Sequence, residues 1–193
     1  MEILFPKKAG VDYDKLQMTE EGEYSITKRK DGEKIIGYIR SVVRNLKQKT
    51  ITDLTGNVGG DTILFGLNFK KVDAIELNPT NFTALENNVK VFGLKNITLH
   101  KGDSTKIFNW PTDVLYLDPP WGGPDYKNYD NLDLFLGSER VDLFIRRILM
   151  EEWAPSYVFM KAPANYNFER FADFDYQKFK VRTFYLVCLF QPE

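Results

Sequence analysis

The chain has 193 residues, which is enough for one well-buried domain and short for two. Hydrophobic residues make up 43% of it and aromatic residues 15%, which excludes an intrinsically disordered chain. The formal net charge of -1 excludes a protein that coats nucleic acid through overall positive charge, so any contact with nucleic acid has to be local.

Compartment and metal content follow from a few residues. Met1 to Gly10 lacks the extended apolar core of a secretory signal, and no run of residues is long enough to span a membrane. Cys188 lies in an apolar run and is predicted to be a buried free thiol, which indicates an intracellular compartment, cytoplasm or nucleus. His100 has no partner at ligand spacing, so no metal is expected. The sequence does not determine the oligomeric state, and a monomer is one possibility.

The first half of the chain predicts alternating helices and strands. Basic residues Lys28 to Lys30 precede a helix expected at about 31–47, where apolar residues recur at helical spacing. A strand at 50–54 leads directly into Asp53-Leu54-Thr55-Gly56-Asn57-Val58-Gly59-Gly60, and a helix is expected from Asp61. Strand, glycine loop and helix form the context in which glycines let the backbone approach a ligand.

Two further strands end near acidic residues. The strand at 72–75 leads into Glu76, about twenty residues beyond the glycine loop, where dinucleotide-type folds place an acid on ribose hydroxyls. A helix at 78–92 contains Asn87 and Asn88, which suit a helix interior poorly, so one of them is expected to face a ligand unless both are surface residues. A strand at 97–100 is followed by Asp103, with an ordinary turn as the alternative to a ligand contact.

The least ordinary stretch is Leu117-Asp118-Pro119-Pro120-Trp121-Gly122-Gly123-Pro124-Asp125-Tyr126, which follows a strand predicted at 114–117. The prolines remove two N–H donors and leave rigid carbonyl acceptors. Asp118 and the Pro119 carbonyl can accept hydrogen bonds from the exocyclic amine of a nucleobase, and Trp121 suits stacking on the base. The alternative is a proline- and glycine-rich surface turn with a buried tryptophan.

After this motif we expect an irregular loop at 126–135, a helix at 138–152, a strand at 156–160 and a closing antiparallel hairpin at 173–190. Taken together, the strand ends resemble those of the class I S-adenosylmethionine-dependent methyltransferases. More narrowly, the motif resembles that of the trimethylguanosine synthases, which methylate the exocyclic amine of 7-methylguanosine in RNA caps. Residues 21–27, 58–63 and 87–93 are also similar to segments of that family.

The resemblance implies an α/β fold with a Rossmann-like, mostly parallel seven-stranded sheet, an antiparallel C-terminal hairpin, helices on both faces and a short N-terminal extension. Residues 1–30 would be an arm that contributes to the substrate and cofactor site, and residues 31–193 would be the catalytic domain. The cofactor implied is S-adenosyl-L-methionine. The partner implied is 7-methylguanosine-capped RNA or a cap nucleotide.

Site residues are carried over from the family motif position by position. Those implied to hold the cofactor are Thr27, Asp53, Gly56, Gly59, Gly60, Glu76, Asp103, Ser104 and Asp118. Those implied in catalysis are Asp118, Pro119 and Trp121. Those implied to bind the substrate are Trp121, Asn88, Pro120 and Tyr126 around the base. Lys28 and Lys161 are expected to bind phosphates in place of an arginine that the family has and this chain lacks.

Two departures from the family pattern leave alternatives open. The family commonly has serine where this chain has Asp118, and Pro-Arg-Asn where this chain has Pro163-Ala164-Asn165. Asp118 resembles instead the acid of enzymes that methylate adenine or guanine amines within tRNA, rRNA or DNA. A non-catalytic cap-binding module is a further alternative.

Overall fold

The computed structural model describes residues 1–190. Contacts within the chain group it into two compact units, Met1–Ser104 and a second unit that begins at Thr105.

The first unit alternates helices and strands. Its helices are α1 (Glu20–Ser25), α2 (Arg29–Val42), α3 (Gly60–Asn68) and α4 (Pro79–Val91), and its strands are β1 (Thr50–Asp53), β2 (Lys71–Glu76) and β3 (Ile97–Lys101). Both β1 and β3 pair in parallel with β2. The carboxyl ends of these strands therefore lie at the same edge of the sheet.

The second unit carries the remaining strands. A short helix α5 (Ser104–Ile107) precedes β4 (Val114–Leu117), and a two-stranded ribbon, β5 (Phe135–Leu136) with β6 (Glu139–Arg140), precedes α6 (Val141–Leu149). The last strands are β7 (Tyr157–Pro163), β8 (Tyr176–Val181) and β9 (Phe184–Phe190). β4 pairs in parallel with β7, whereas β9 pairs antiparallel with both β7 and β8.

Seven strands form one sheet in the order β3-β2-β1-β4-β7-β9-β8. The predicted fold, a mostly parallel seven-stranded sheet that ends in an antiparallel hairpin, is therefore confirmed. Four fully buried residues form β4, as expected for a strand covered on both faces.

The N-terminal segment contributes to the core of the first unit. Phe5 and Leu16 are buried in one cluster with Val58, Leu85 and Phe92. Thr19 caps α1 by accepting a hydrogen bond from the amide of Gly22 at 2.9 Å. The predicted boundary at residue 30 is a statement about function, and it stays a prediction.

The predicted helix at 31–47 is shorter in the structure. α2 ends at Val42, and Asn45 takes a left-handed conformation with φ 57° before a 3₁₀ turn at Leu46–Gln48. Asparagine tolerates that conformation better than most residues. The apolar periodicity nevertheless continues past the end of the helix, because Val43 and Leu46 are also buried. Ile35, Ile36 and Ile39 are buried, as the periodicity predicts.

Among residues 1–190, no helix is long and apolar enough to cross a membrane. Over the same residues, no group of three or more His, Cys, Asp or Glu side chains is arranged to hold a metal ion.

Candidate active site

Acidic residues mark the ends of the parallel strands in the first unit. Asp53 is the last residue of β1, Glu76 is the last of β2, and Asp103 lies just beyond β3. The amide of Gly102 donates to the carbonyl of Glu76 at 3.0 Å, which joins two of these ends. Asp103 is half-buried, and Ser104 beside it is buried at the start of α5. The structure therefore brings these predicted cofactor residues to one edge of the sheet, where open α/β folds bind ligands.

The glycine loop between β1 and α3 is packed tightly by its own unit. A Cβ added to Gly56 would lie 2.9 Å from a methyl carbon of Leu85, and one added to Gly60 would lie 2.7 Å from Ile26. Gly59 has φ +101°, a conformation that carries no steric penalty in glycine. These three glycines are therefore needed to form the turn, independently of any ligand.

Asp53 lies beneath this loop. It is fully buried, and its carboxylate accepts hydrogen bonds from the Thr62 hydroxyl at 2.6 Å and from the Thr55 amide at 3.0 Å. These bonds hold the start of the loop to the first turns of α3. A direct contact between Asp53 and the cofactor, as expected from the sequence, would need solvent-exposed surface that this side chain lacks. In this structure Asp53 instead stabilises the glycine loop through its hydrogen bonds.

Glu76 is held by backbone amides on both of its carboxylate oxygens. Asn57 and Asn78 each donate a backbone N–H to it at 2.7 Å. Burial raises the pKa of the Glu76 carboxyl above its ordinary value of 4.5, while the two N–H donors act in the opposite direction. Each carboxylate oxygen has a second lone pair, so Glu76 can still accept hydrogen bonds from a bound ligand.

Asn57 is a candidate that the sequence did not single out. Its backbone is left-handed, with φ 49°, and its side-chain amide donates to the Ser25 hydroxyl at 2.7 Å. Its Oδ1 atom is buried and has no hydrogen-bond partner within the described part of the chain. A buried acceptor of this kind is costly unless something donates to it, so the loop fits a ligand that carries N–H or O–H donors. The Gly-Asn step inside the loop was the available signal, because asparagine tolerates left-handed backbone.

The predicted residues of the N-terminal segment occupy different positions. Thr27 and Gly60 line one cavity of about 340 Å³, and the Thr27 hydroxyl donates to Asp61 at 2.7 Å. The geometry therefore brings Thr27 to the end of the glycine loop, and its contact with the cofactor stays a prediction. Lys28 stands immediately before α2 with its side chain exposed, where it is accessible to a phosphate.

Asn88 does not line a base pocket in this structure. The side chain is fully buried; its amide group donates to the carbonyls of Gln17 and Val58, both at 2.8 Å, and its oxygen accepts from the Gln17 amide at 2.7 Å. Its neighbour Asn87 donates to the carbonyl of Lys15 at 2.9 Å. Both asparagines therefore fasten the N-terminal segment to α4, which explains why they occur inside a helix.

The motif residues follow β4 in the second unit. Asp118 is half-buried, Pro119 is buried and Pro120 is exposed. Gly122 and Gly123 have φ +88° and +83°, and a Cβ on either would meet nothing within 4 Å, so backbone conformation alone favours glycine there. The chain thus leaves the strand with Asp118 at its end and turns sharply after Trp121.

Trp121 is half-buried, so its indole retains accessible surface and is not sealed in the interior. Its ring meets that of Tyr126 edge-on, with centroids 5.1 Å apart, and lies 6.1 Å from the ring of Phe184. The indole Nε1 is buried without a hydrogen-bond partner among residues 1–190. The structure therefore brings Trp121 and Tyr126 together in one aromatic cluster, which can stack on a planar ligand.

Lys161 is placed differently from its prediction. It is only 4% exposed, and its ammonium contacts the carboxylate of Asp118 at 2.5 Å, so it does not extend into solvent as a phosphate contact would. Asn165 donates to the carbonyls of Tyr126 at 2.8 Å and of Tyr129 at 2.6 Å. Asn165 therefore holds the loop that carries Tyr126.

The amino-acid sequence is similar to those of two yeast enzymes and one viral protein, at 25–33% identity. The chain is 29% identical over 112 residues to the trimethylguanosine synthase of Schizosaccharomyces pombe, covering 54% of this chain and 45% of that protein. It is 25% identical over 131 residues to the trimethylguanosine synthase of Saccharomyces cerevisiae, covering 64% and 41%. An uncharacterized protein of Acanthamoeba polyphaga mimivirus is 33% identical over 139 residues, covering 70% and 54%. The chain thus spans about half the length of these relatives.

Solved structures share the fold at low identity. A precorrin-6y C5,15-methyltransferase of Geobacter metallireducens superposes with a TM-score of 0.64 at 14% identity, covering 95% of this chain and 97% of that chain. The 16S rRNA N2 methyltransferase RsmC of T. thermophilus, in complex with AdoMet and guanosine, superposes with a TM-score of 0.65 at 13% identity, covering 84% and 43%.

A family model described as RNA cap guanine-N2 methyltransferase matches residues 48–182, which include the glycine loop, Glu76 and the Asp118–Tyr126 motif. That span is well over half of the 193 residues. The chain therefore belongs to the RNA cap guanine-N2 methyltransferase family, which confirms the family resemblance.

Proposed function

We propose that this chain methylates the exocyclic N2 amine of the 7-methylguanosine cap of RNA. The observation that carries the proposal is the end of β4, where Asp118 is followed after two prolines by a partly exposed Trp121 that Tyr126 flanks. Family membership and the two yeast trimethylguanosine synthases support the same substrate.

Residues of the first unit would hold the cofactor. When bound, S-adenosylmethionine supplies an electron-poor methyl group on a sulfonium. Glu76, at the end of β2, would accept hydrogen bonds from the ribose hydroxyls, and Asp103 would accept from the adenine amine. The buried Oδ1 of Asn57, which lies in the glycine loop, would accept a hydrogen bond from a further donor of the cofactor. The glycines of this loop would let its backbone come close to the cofactor.

Residues of the second unit would hold the target base. Asp118 and the Pro119 carbonyl would each accept a hydrogen bond from the amine and orient its lone pair, which is the main contribution that a methyltransferase site has to make. Trp121 would stack on the purine. Because 7-methylguanine is cationic, that contact gains a cation–π attraction of about 2 kcal/mol when it is desolvated.

Removal of the proton from the methylated amine does not require a dedicated base in the protein. The amine nitrogen forms a new bond to carbon, the carbon–sulfur bond breaks, and the nitrogen then releases one proton. The methylated nitrogen is acidic while it is cationic, so no strongly basic side chain is needed. Asp118 would therefore act through orientation.

The decisive experiment offers several acceptors with S-adenosylmethionine and analyses the products by mass spectrometry. We expect one or two methyl groups on 7-methylguanosine diphosphate and none on guanosine diphosphate. Absence of transfer to 7-methylguanosine diphosphate, together with transfer to tRNA or DNA, would eliminate the cap assignment.

A second candidate is methylation of a guanine or adenine amine within RNA or DNA. Asp118 favours it, because the cap family commonly has serine at that position. Such a target has to be unpaired or flipped out before its amine can reach the site. The same panel of acceptors separates the two candidates. A silent cap-binding module is the remaining alternative, and calorimetry that detects no affinity for S-adenosylmethionine would support it.

A further inference from the structure

An ion pair joins the motif to a neighbouring strand. The register of β4 and β7 pairs Leu117 with Met160, so the next position on each strand places Asp118 beside Lys161. The ammonium Nζ and carboxylate Oδ2 are 2.5 Å apart. The side chain of Lys161 is 6% exposed and that of Asp118 is 20% exposed. The pair is therefore largely removed from water, and the strand register holds it in place.

The lysine is also held against aromatic rings. Its Nζ lies 5.0 Å from the centroid of Phe184 on β9 and 5.8 Å from that of Trp121. A nearly buried ammonium needs compensation for its lost hydration, and a carboxylate together with ring faces supplies it. Lys161 thus contacts both side chains that the proposed function places on the target base.

We infer that Lys161 is a positioning residue that keeps Asp118 ionised and oriented as a hydrogen-bond acceptor for the target amine. This inference rests on the proposed function. A carboxylate only accepts hydrogen bonds, whereas a protonated carboxyl group presents an O–H donor toward an amine that also donates. A half-buried carboxylate without a nearby cation would hold its proton to higher pH. The lysine prevents this.

The charged groups described next to Asp118 lie on β7 and in the motif loop. Lys161 faces it from β7, and β9 presents the uncharged ring of Phe184 to the same lysine. In the motif loop Asp125 and Lys127 are exposed, and water screens their charges. The ion pair is therefore the contact to test.

The first test measures whether the two side chains stabilise each other, and it requires no substrate. Urea unfolding is compared for the unmodified protein, Asp118→Asn, Lys161→Met and the double variant. Each single change leaves one buried charge without its partner, so the double variant should be more stable than the sum of the single effects predicts, by about tenfold or more in the unfolding equilibrium constant. Additive effects would overturn the inference.

The second test measures methyl transfer to 7-methylguanosine diphosphate at about pH 6 and about pH 8. A carboxyl group that loses its neighbouring cation holds its proton more tightly, so a smaller fraction of it is ionised at the lower pH than at the higher pH. Lys161→Met should therefore lose most activity at the lower pH and recover part of it at the higher pH, relative to the unmodified protein.

The matched control is Lys178→Met, because Lys178 on β8 also lies over aromatic rings, 4.2 Å from the centroid of Phe168, but is exposed. This control should have the pH profile of the unmodified protein. An unchanged profile in Lys161→Met would overturn the inference. If the unmodified protein transferred no methyl group to the cap analogue, the proposed function would fail, while the unfolding test would still decide whether the pair is coupled.

Discussion

Replacing Asn88 by alanine should lower the free energy of unfolding by about 3 kcal/mol. The change removes three hydrogen bonds to the main chain, two with Gln17 and one with Val58, at distances of 2.7–2.8 Å, and a fourth that the Asn87 side chain donates at 3.1 Å. Each bond contributes about 1 kcal/mol net, and the fully buried site leaves the main-chain partners without water to replace the lost side chain. For a chain of this size the loss corresponds to a fall in melting temperature of about 6–12 °C.

Urea unfolding followed by circular dichroism measures this loss, with Asn87→Ala as the matched comparison. Asn87 is adjacent in sequence but donates to only one main-chain carbonyl of the N-terminal segment, that of Lys15, and its other hydrogen bond goes to the Asn88 side chain at 3.1 Å. Its replacement should cost about 1 kcal/mol or less. If the two variants had free energies of unfolding within about 1 kcal/mol of each other, Asn88 would not fasten the N-terminal segment as described.

Three further predictions concern the site and the thiol. Trp121→Ala should reduce methyl transfer to 7-methylguanosine diphosphate by about 10- to 100-fold, because the indole stacks on the base. Calorimetry should find a nearly unchanged affinity for S-adenosylmethionine. A large loss of cofactor affinity would mean that Trp121 is misassigned. Burial raises the pKa of Glu76 above 4.5, and the protonated carboxyl group accepts hydrogen bonds less well than the carboxylate. As the pH is lowered, affinity for S-adenosylmethionine should therefore begin to fall at a higher pH than it would with an ordinary glutamate. Calorimetry at decreasing pH measures this, and an affinity that stays constant down to the pH at which an ordinary glutamate becomes protonated contradicts it. Burial raises the pKa of the Cys188 thiol to about 12, so a thiol reagent should label the folded protein slowly and the urea-unfolded protein rapidly; equal rates would contradict the buried position.

Local sequence patterns account for most of the fold. The strand predicted at 114–117 is observed as β4, because four consecutive apolar residues are buried on both faces. The helix predicted at 138–152 begins later, at Val141, because Glu139–Arg140 pair with Phe135–Leu136 in a short ribbon. Two-residue strands leave no periodicity that a sequence could reveal.

The candidate site could be predicted only in part, because some of its contacts join residues that are far apart in the sequence. The glycine loop and Glu76 could be predicted because the order of strand, glycine loop, helix and acidic strand end is visible in the sequence itself. The role of Asn88 depends on Gln17 and Val58, which are 71 and 30 residues away. Lys161 meets Asp118 across 43 residues, through a strand register that no local pattern encodes.

The position of β9 has a consequence for synthesis on the ribosome. This strand lies between β7 and β8, although both precede it in the chain. Until residues 184–190 have emerged, β7 presents a row of unpaired amides and carbonyls along that edge, and β8 has no neighbour within the sheet. A nascent chain halted before Phe184 would carry an open, apolar edge that invites aggregation, so the second unit can complete its folding only after translation has passed its last strand.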